Sequence, residues 1–202
     1  MKIICVGRNY AAHAAELGND KPKEPVIFLK PDTSLLKNND PFYLPAFSNE
    51  IHHEIELLVK IKKEGKKVAQ EYAHNYYDEI GLGIDFTARD LQSNLKENGL
   101  PWEIAKAFDH SAVISTFISK DSIDLANTAI TLYKNDEIVQ DGNTSNMLFS
   151  LDEIISYIST FFTLKTGDII FTGTPSGVGP VAIGDRLRGT LDDQKMFEFD
   201  VK

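Results

Sequence analysis

Residues 52–59 read His52-His53-Glu54-Ile55-Glu56-Leu57-Leu58-Val59, and the way this octapeptide is taken decides the fold around it. In a β-strand the side chains alternate, so His52, Glu54 and Glu56 share one face and His53, Ile55 and Leu57 the other. The apolar face, continued by Leu58, Val59 and Ile61, marks a packed strand and not an acidic loop. Two carboxylates one strand repeat apart repel each other unless something positive lies between them. The stretch is therefore a candidate metal site. A solvated acidic edge beside Lys60, Lys62 and Lys63 is the alternative these residues leave open.

Upstream, residues 3–6 read as a buried strand ending at Gly7. Arg8 to Gly18 is alanine-rich and closed by a glycine, which predicts a short helix carrying His13 and Glu16 three apart on one face. Gly18 to Pro25 reads as a mobile exposed loop, and Pro25 to Pro31 as a strand bounded by prolines.

Downstream, Val68 to Tyr77 has a helical pattern and Ile80 to Asp85 reads as a strand. Thr87-Ala88-Arg89-Asp90 has the spacing of a capping box, opening a helix from about Ala88 to Glu97. Asp85 then falls in a strand-to-helix corner, a place where a rigid frame displays functional groups. Thr128 to Val139 reads as a hairpin turning at Asn135-Asp136. A second capping box, Ser150 to Glu153, precedes helically spaced Leu151, Ile154, Ile155, Ile158, Phe161 and Phe162. Strands are expected over Asp168–Thr172, Arg186–Leu191 and Met196–Val201. The predicted class is α+β and β-dominated, in one domain spanning residues 1–202.

At 202 residues, with 42% hydrophobic and 25% charged side chains, the chain can bury a core without disulfides or a structural metal. A net charge of -9 and the lack of a basic stripe argue against a nucleic-acid partner. Cys5 is the only cysteine, which fits a reducing compartment. The apolar run at the N-terminus is too short for a signal-peptide core, and no stretch has the length of a membrane span. A cytoplasmic protein is expected.

Glu54, Glu56 and Asp85 together would suit a hard divalent cation such as Mg²⁺ or Mn²⁺. His52 on the same strand face would admit Fe²⁺ or Zn²⁺ as the minority case. His13 and Glu16 could form a dyad in which the carboxylate fixes the imidazole tautomer, or be an incidental pair on an exposed helix. Lys106, within the apolar stretch 100–108, is either a desolvated cation aimed at an oxyanion or a side chain that snorkels to water. Gly173 to Pro180 is neither a P-loop nor a dinucleotide fingerprint. It is a tight turn, and one that could offer backbone amides and the Thr174 hydroxyl to an anion.

These pieces recur in order along nearly the whole chain. They are Gly7-Arg8-Asn9-Tyr10-Ala11-Ala12-His13, Phe28-Leu29-Lys30-Pro31, His53-Glu54-Ile55-Glu56-Leu57, Asp85 through Gln92, Gly99 through Trp102 with Lys106, and Gly167 through Pro175. In them the chain resembles the fumarylacetoacetate hydrolase family, in its small acylpyruvate hydrolase and oxaloacetate decarboxylase branch. The resemblance implies a mixed β-sandwich roll of the C-terminal-domain type, with Mg²⁺ or Mn²⁺ held by Glu54, Glu56 and Asp85. It also implies a lid over residues 13–25 bearing His13 and Glu16. Substrate contacts from Lys30, Arg89, Gln92, Lys106 and Thr174 are implied too, as is a homodimer. The extra N-terminal domain of the fumarylacetoacetate-cleaving enzymes is lacking, which counts against fumarylacetoacetate as substrate. The chain is also a single unit, unlike the duplicated isomerase-decarboxylases.

The expected reaction is metal-dependent cleavage of a carbon–carbon bond in a small 2-oxo acid, through a pyruvate enolate. Isomerisation or tautomerisation of an unsaturated 2-oxo dicarboxylate, of the 2-hydroxyhepta-2,4-diene-1,7-dioate type, is the rival at the same site. A catalytically silent protein that binds a metal or a dicarboxylate is the rival of a different class.

Overall fold

The computed structural model describes residues 1–16, 18 and 20–202. In chain order the elements begin β1 (Ile3–Gly7), α1 (Ala11–Glu16), β2 (Val26–Lys30), β3 (Leu35–Leu36), β4 (Ile51–His53), β5 (Ile55–Ile61) and β6 (Tyr77–Asp85). There follow β7 (Thr87–Ala88), α2 (Arg89–Glu97), α3 (Glu103–Lys106), β8 (Ala112–Ile114), β9 (Ile118–Ser119), β10 (Ala129–Lys134) and β11 (Glu137–Asn143). The chain ends with α4 (Leu151–Phe161), β12 (Ile169–Phe171), β13 (Gly179–Pro180), β14 (Arg186–Leu191) and β15 (Gln194–Asp200).

The large sheet runs β2-β1-β12-β5-β6-β8-β3, with β9 also on β6. It is mixed, because β1 pairs with β12 and β3 with β8 in parallel, while the other neighbours are antiparallel. A four-stranded sheet, β11-β10-β14-β15, packs on β5 and β6. The layers meet over Ile55, Leu57, Leu82, Ile130, Leu132 and Phe197, all buried. This is the β-dominated roll expected, with few helices. Among the described residues no helix is long and apolar enough to cross a membrane.

The stretch read as one strand is two. β4 ends at His53, Glu54 stands between, and β5 starts at Ile55. Two long-range bonds make the break. The Asp85 N–H donates to the Glu54 carbonyl at 2.9 Å, and the Ile55 N–H donates to the Gln140 side chain at 3.0 Å. β4 then pairs with β7 and β13 in a small third sheet, while β5 enters the large one. Opposite Glu56 in the β5–β6 ladder sits Gly83, where a Cβ would lie 2.3 Å from the Val113 carbonyl oxygen. Only glycine lets the strands close at this level.

Three other expectations change. The box at Thr87–Asp90 does not form: Ala88 is the N-cap and makes no side-chain bond. Asp90 takes that part instead, accepting the Leu91 N–H at 2.8 Å and the Asn49 N–H at 3.0 Å. The helical pattern at 68–77 is a 3₁₀ segment, Gln70–Asn75, and Tyr77 already belongs to β6. The helix around His13 is limited to Ala11–Glu16 among the described residues. The expected lid, 13–25, includes residues 17 and 19, which lie outside them.

The box at Ser150 forms as expected, with both reciprocal bonds to Glu153. The β10–β11 hairpin turns at Asn135-Asp136, both with positive φ (53° and 67°).

Candidate active site

The break at Glu54 and the end of β6 bring three carboxylates together. Glu54, Glu56 and Asp85 each offer an oxygen, and these oxygens lie within 4.8 Å of one another. All three residues are at most 4% exposed, so the solvated acidic edge is ruled out. Like charges so placed need counter-charge, and the sequence supplies it from three elements.

Lys106, at the end of α3, donates to Glu54 Oε2 and Asp85 Oδ2, each at 2.7 Å, and to Thr87 Oγ1 at 2.5 Å. Lys30, ending β2, pairs with Asp85 Oδ1 at 2.7 Å and donates to the Ser111 hydroxyl at 2.9 Å. Arg89, opening α2, pairs with the remaining oxygen of Glu54 and donates to Gln92 Oε1 at 2.5 Å. Lys106 is 3% exposed, which excludes snorkelling. Its ammonium is committed to carboxylates, and burial, which would lower its pKa, is outweighed by Asp85 and Glu54, which raise it.

The balance is uneven among the acids. Burial works against the charge on Glu54 as well, yet Lys106 and Arg89 hold its carboxyl well below the usual range. Glu56 is pushed well above that range by burial, then by Asp85 and Glu54. Among the described residues no cation pairs with Glu56, and its closest support is the Gly173 N–H at 2.6 Å. A buried, all-oxygen donor set with one undercompensated carboxylate fits a hard divalent cation. Glu54, Glu56 and Asp85 would hold it. His52 is not part of the group. Its Nε2–H donates to Glu50 at 2.9 Å and its Nδ1 accepts from Arg89 at 3.4 Å.

His13 and Glu16 do pair, Nδ1 to Oε2, at 3.2 Å. With a carboxylate as acceptor, Nδ1 carries the proton and Nε2 keeps its lone pair. His13 lines the same pocket as Glu54, Glu56 and Asp85, along with Gln92 and Thr174. Glu16 also accepts the Gly177 N–H at 3.0 Å. Gly177 has φ +94°, and a Cβ there would lie 2.4 Å from the Val139 carbonyl oxygen. The amides of the 173–180 turn expected to face an anion are taken up by this protein's own carboxyls, Gly173 N–H by Glu56 and Gly177 N–H by Glu16.

Sequence reasoning missed Gln140, a buried polar side chain inside β11. Its Oε1 accepts from His53 Nδ1 at 2.9 Å as well as from Ile55, and its Nε2 donates to Thr174 Oγ1 at 2.9 Å and the Pro175 carbonyl at 3.0 Å. One carboxamide thus ties the Glu54 break to the turn that supports Glu56. The available signal was its place: an uncharged polar group at a hairpin strand position that buries its side chain.

The same contact yields a pH prediction. Burial pushes His53 down to about 4 from 6.5; the Gln140 hydrogen bond opposes this in part, and Lys134 and His52 add to it. The unfolded chain therefore takes up the proton first. The stability contributed by neutral His53 is intact above about pH 6.5 and is lost as pH drops through about 4, by on the order of 3 kcal/mol in total. Urea unfolding at pH 7 and pH 4.5 reads this directly. His53→Gln should flatten the decline, and an equally steep decline in that variant would assign it elsewhere.

Comparison with known proteins bears on this arrangement. The family profile described as fumarylacetoacetate (FAA) hydrolase C-terminal matches residues 2–201. A mitochondrial oxaloacetate decarboxylase of Dictyostelium discoideum is 47% identical over 203 residues, 99% of this chain and 93% of that protein. A mitochondrial oxaloacetate tautomerase of Arabidopsis thaliana is 44% identical over 202 residues, 100% of this chain and 91% of its own length. The crystal structure of a fumarylpyruvate hydrolase from Pseudomonas aeruginosa, in complex with Mn²⁺ and pyruvate, superposes with a TM-score of 0.94 at 38% identity. It covers 100% of this chain and 89% of that one.

Proposed function

The chain belongs to the fumarylacetoacetate hydrolase family, and from that premise we propose a divalent-metal-dependent enzyme that makes and protonates the enolate of a short 2-oxo acid. Keto–enol exchange of oxaloacetate is its foremost reaction. Decarboxylation of oxaloacetate and hydrolysis of an acylpyruvate, both breaking a carbon–carbon bond, use the same enolate. The reading from sequence placed bond cleavage first. The tautomerase among the relatives moves proton exchange ahead, and the decarboxylase and the hydrolase keep cleavage beside it.

The observation that carries this reading is the meeting, in one pocket, of three buried carboxylates with a histidine whose tautomer a glutamate sets. A bound Mg²⁺ or Mn²⁺ would polarise the 2-oxo group and offset the charge of an enolate. His13 Nε2 takes the proton from C3, and Glu16 steadies the imidazolium that results. Return of that proton to oxygen completes the exchange. Gln92, whose Oε1 accepts from Arg89, turns its N–H groups to a substrate oxygen. Lys106 and Lys30 hold the carboxylates in place. Closure of α1 over the pocket and assembly as a homodimer belong to the same proposal.

The test uses metal-stripped protein with Mg²⁺ or Mn²⁺ restored. Oxaloacetate enol–keto exchange is followed in the ultraviolet, and pyruvate release is measured from oxaloacetate and from acetylpyruvate. A metal-only blank is needed because free cations decarboxylate oxaloacetate. His13→Ala should slow exchange and hydrolysis about a hundredfold and decarboxylation, which needs no base, far less. Equal losses in all three would overturn this division of labour. Metal binding with no turnover of either substrate would leave only the silent binding protein.

A further inference from the structure

Each cation at the carboxylate cluster is already engaged: Lys30 with Asp85, Lys106 with Glu54 and Asp85, Arg89 with Glu54. Arg8 is placed differently. It lines the same pocket, yet among the described residues no carboxylate pairs with it. Its backbone stands at φ 62°, the left-handed region that disfavours a residue with a Cβ. The conformation is imposed by Asn9. That wholly buried side chain donates to the carbonyls of Thr172 (2.8 Å) and Phe149 (3.2 Å) and accepts the Phe149 N–H (2.8 Å), while the Asn9 carbonyl accepts the Leu148 N–H (2.8 Å). A strained arginine is thus fixed in the lining of the pocket that also holds the carboxylates.

Lys96, from the last turn of α2, lines that pocket too. The protein around its ammonium, then Arg8 and Arg89, press its pKa below the usual lysine range. Arg8, with which no carboxylate pairs among the described residues, is the group there that a ligand anion would balance. Arg8 is a positive charge in this pocket beyond those paired with Glu54 and Asp85, and a second carboxylate on the substrate would balance it.

We propose that Arg8 is the subsite for the second, distal carboxylate of a dicarboxylic 2-oxo acid. Arg8 is thereby the residue that makes this enzyme prefer such substrates to 2-oxo acids ending in a neutral acyl group. The inference rests on the floor being a 2-oxo acid site. It also bears on the outcome of the reaction. In decarboxylation the C3–C4 bond breaks, its electron pair passes into the C2–C3 enolate, and the distal carboxylate departs as neutral CO₂. A guanidinium pairs best with that carboxylate while it is still charged, so it stabilises the ground state more than the transition state. Proton exchange at C3 leaves the carboxylate intact and is not slowed in this way.

The experiment compares Arg8→Met, Arg8→Lys and Arg8→Gly in Mg²⁺-loaded protein. The glycine variant suits the left-handed backbone and guards against a folding failure. For Arg8→Met and Arg8→Gly, the ratio of kcat/KM for oxaloacetate to that for acetylpyruvate should fall at least about tenfold, mainly through KM for oxaloacetate. Arg8→Lys should recover part of it, and CO₂ release per exchange event should rise when the charge is lost. Binding gives a second readout. Difluorooxaloacetate, which keeps the distal carboxylate but cannot lose a C3 proton, should bind about tenfold more weakly, and oxalate, which has no distal group, should shift much less. Equal losses on both substrates, or equal weakening of both ligands, would overturn the subsite. If the wild-type protein turns over neither substrate and binds no oxalate, the 2-oxo acid reading itself falls, and the subsite with it.

Discussion

Glu56→Gln is expected to cut oxaloacetate turnover more than about a thousandfold while making the metal-free protein harder to unfold. The two effects have one cause. Glu56 is a buried carboxylate beside two others, and its ionised form is disfavoured by burial, Asp85 and Glu54. A carboxamide keeps an acceptor for the Gly173 N–H and removes a charge that the fold alone does not balance. Relief of about 1 kcal/mol would raise Tm by about 2–4 °C in a chain of this size. The same change removes one of the three carboxylates proposed to hold the ion, so metal affinity should collapse. Calorimetry in EDTA and a metal titration decide the matter. A variant less stable than wild type without metal would show that Glu56 is a structural acid and not a ligand held in waiting.

Lys106→Met should act with the opposite sign. Its ammonium joins Glu54, Asp85 and Thr87 inside the protein, and removing one partner of a buried pair strands the other charges. The expected cost in metal-free protein is about 3–5 kcal/mol. Methionine keeps the bulk against Phe28, whose ring the ammonium now faces at 5.2 Å, so loss of packing is a small part of that figure. A divalent cation would replace the missing charge, and Mn²⁺ should therefore restore far more stability to the variant than it adds to wild type. Denaturant unfolding with EDTA and with Mn²⁺ measures both quantities. Unchanged stability in EDTA would refute the counter-ion role.

Strands governed by local alternation were legible: Arg186–Leu191 stands at its expected ends, and the hairpin turns at Asn135-Asp136. Elements decided by distant partners were not. Nothing between His52 and Val59 announces a break, because the period of two runs through Glu54 without a fault. The break comes from Asp85 and Gln140, far along the chain. Thr87 has the spacing of a cap but is drawn into a strand opposite His52, and its hydroxyl goes to Lys106. The site shows the same division. The residue types at 54, 56 and 85 pointed to a hard cation, while their meeting, the pairing of Lys106 and the carboxyls held by the 173–180 turn needed the fold. Arg8 drew no notice as a functional group, since its strain arises from Asn9 bonds to Phe149 and Thr172.

The pairing of Glu54 and Asp85 with Lys30, Lys106 and Arg89 also bears on how this molecule is made. Small zinc domains have no stable fold until the ion arrives, because their ligands have nothing else to hold. Here Glu54 and Asp85 have counter-ions of their own and only Glu56 is left for an ion to offset, so the newly synthesised polypeptide should fold before it meets the proposed metal. Loss of the ion would then be a reversible pause in activity, and a cell short of metal would keep an idle pool of this protein and not a degraded one.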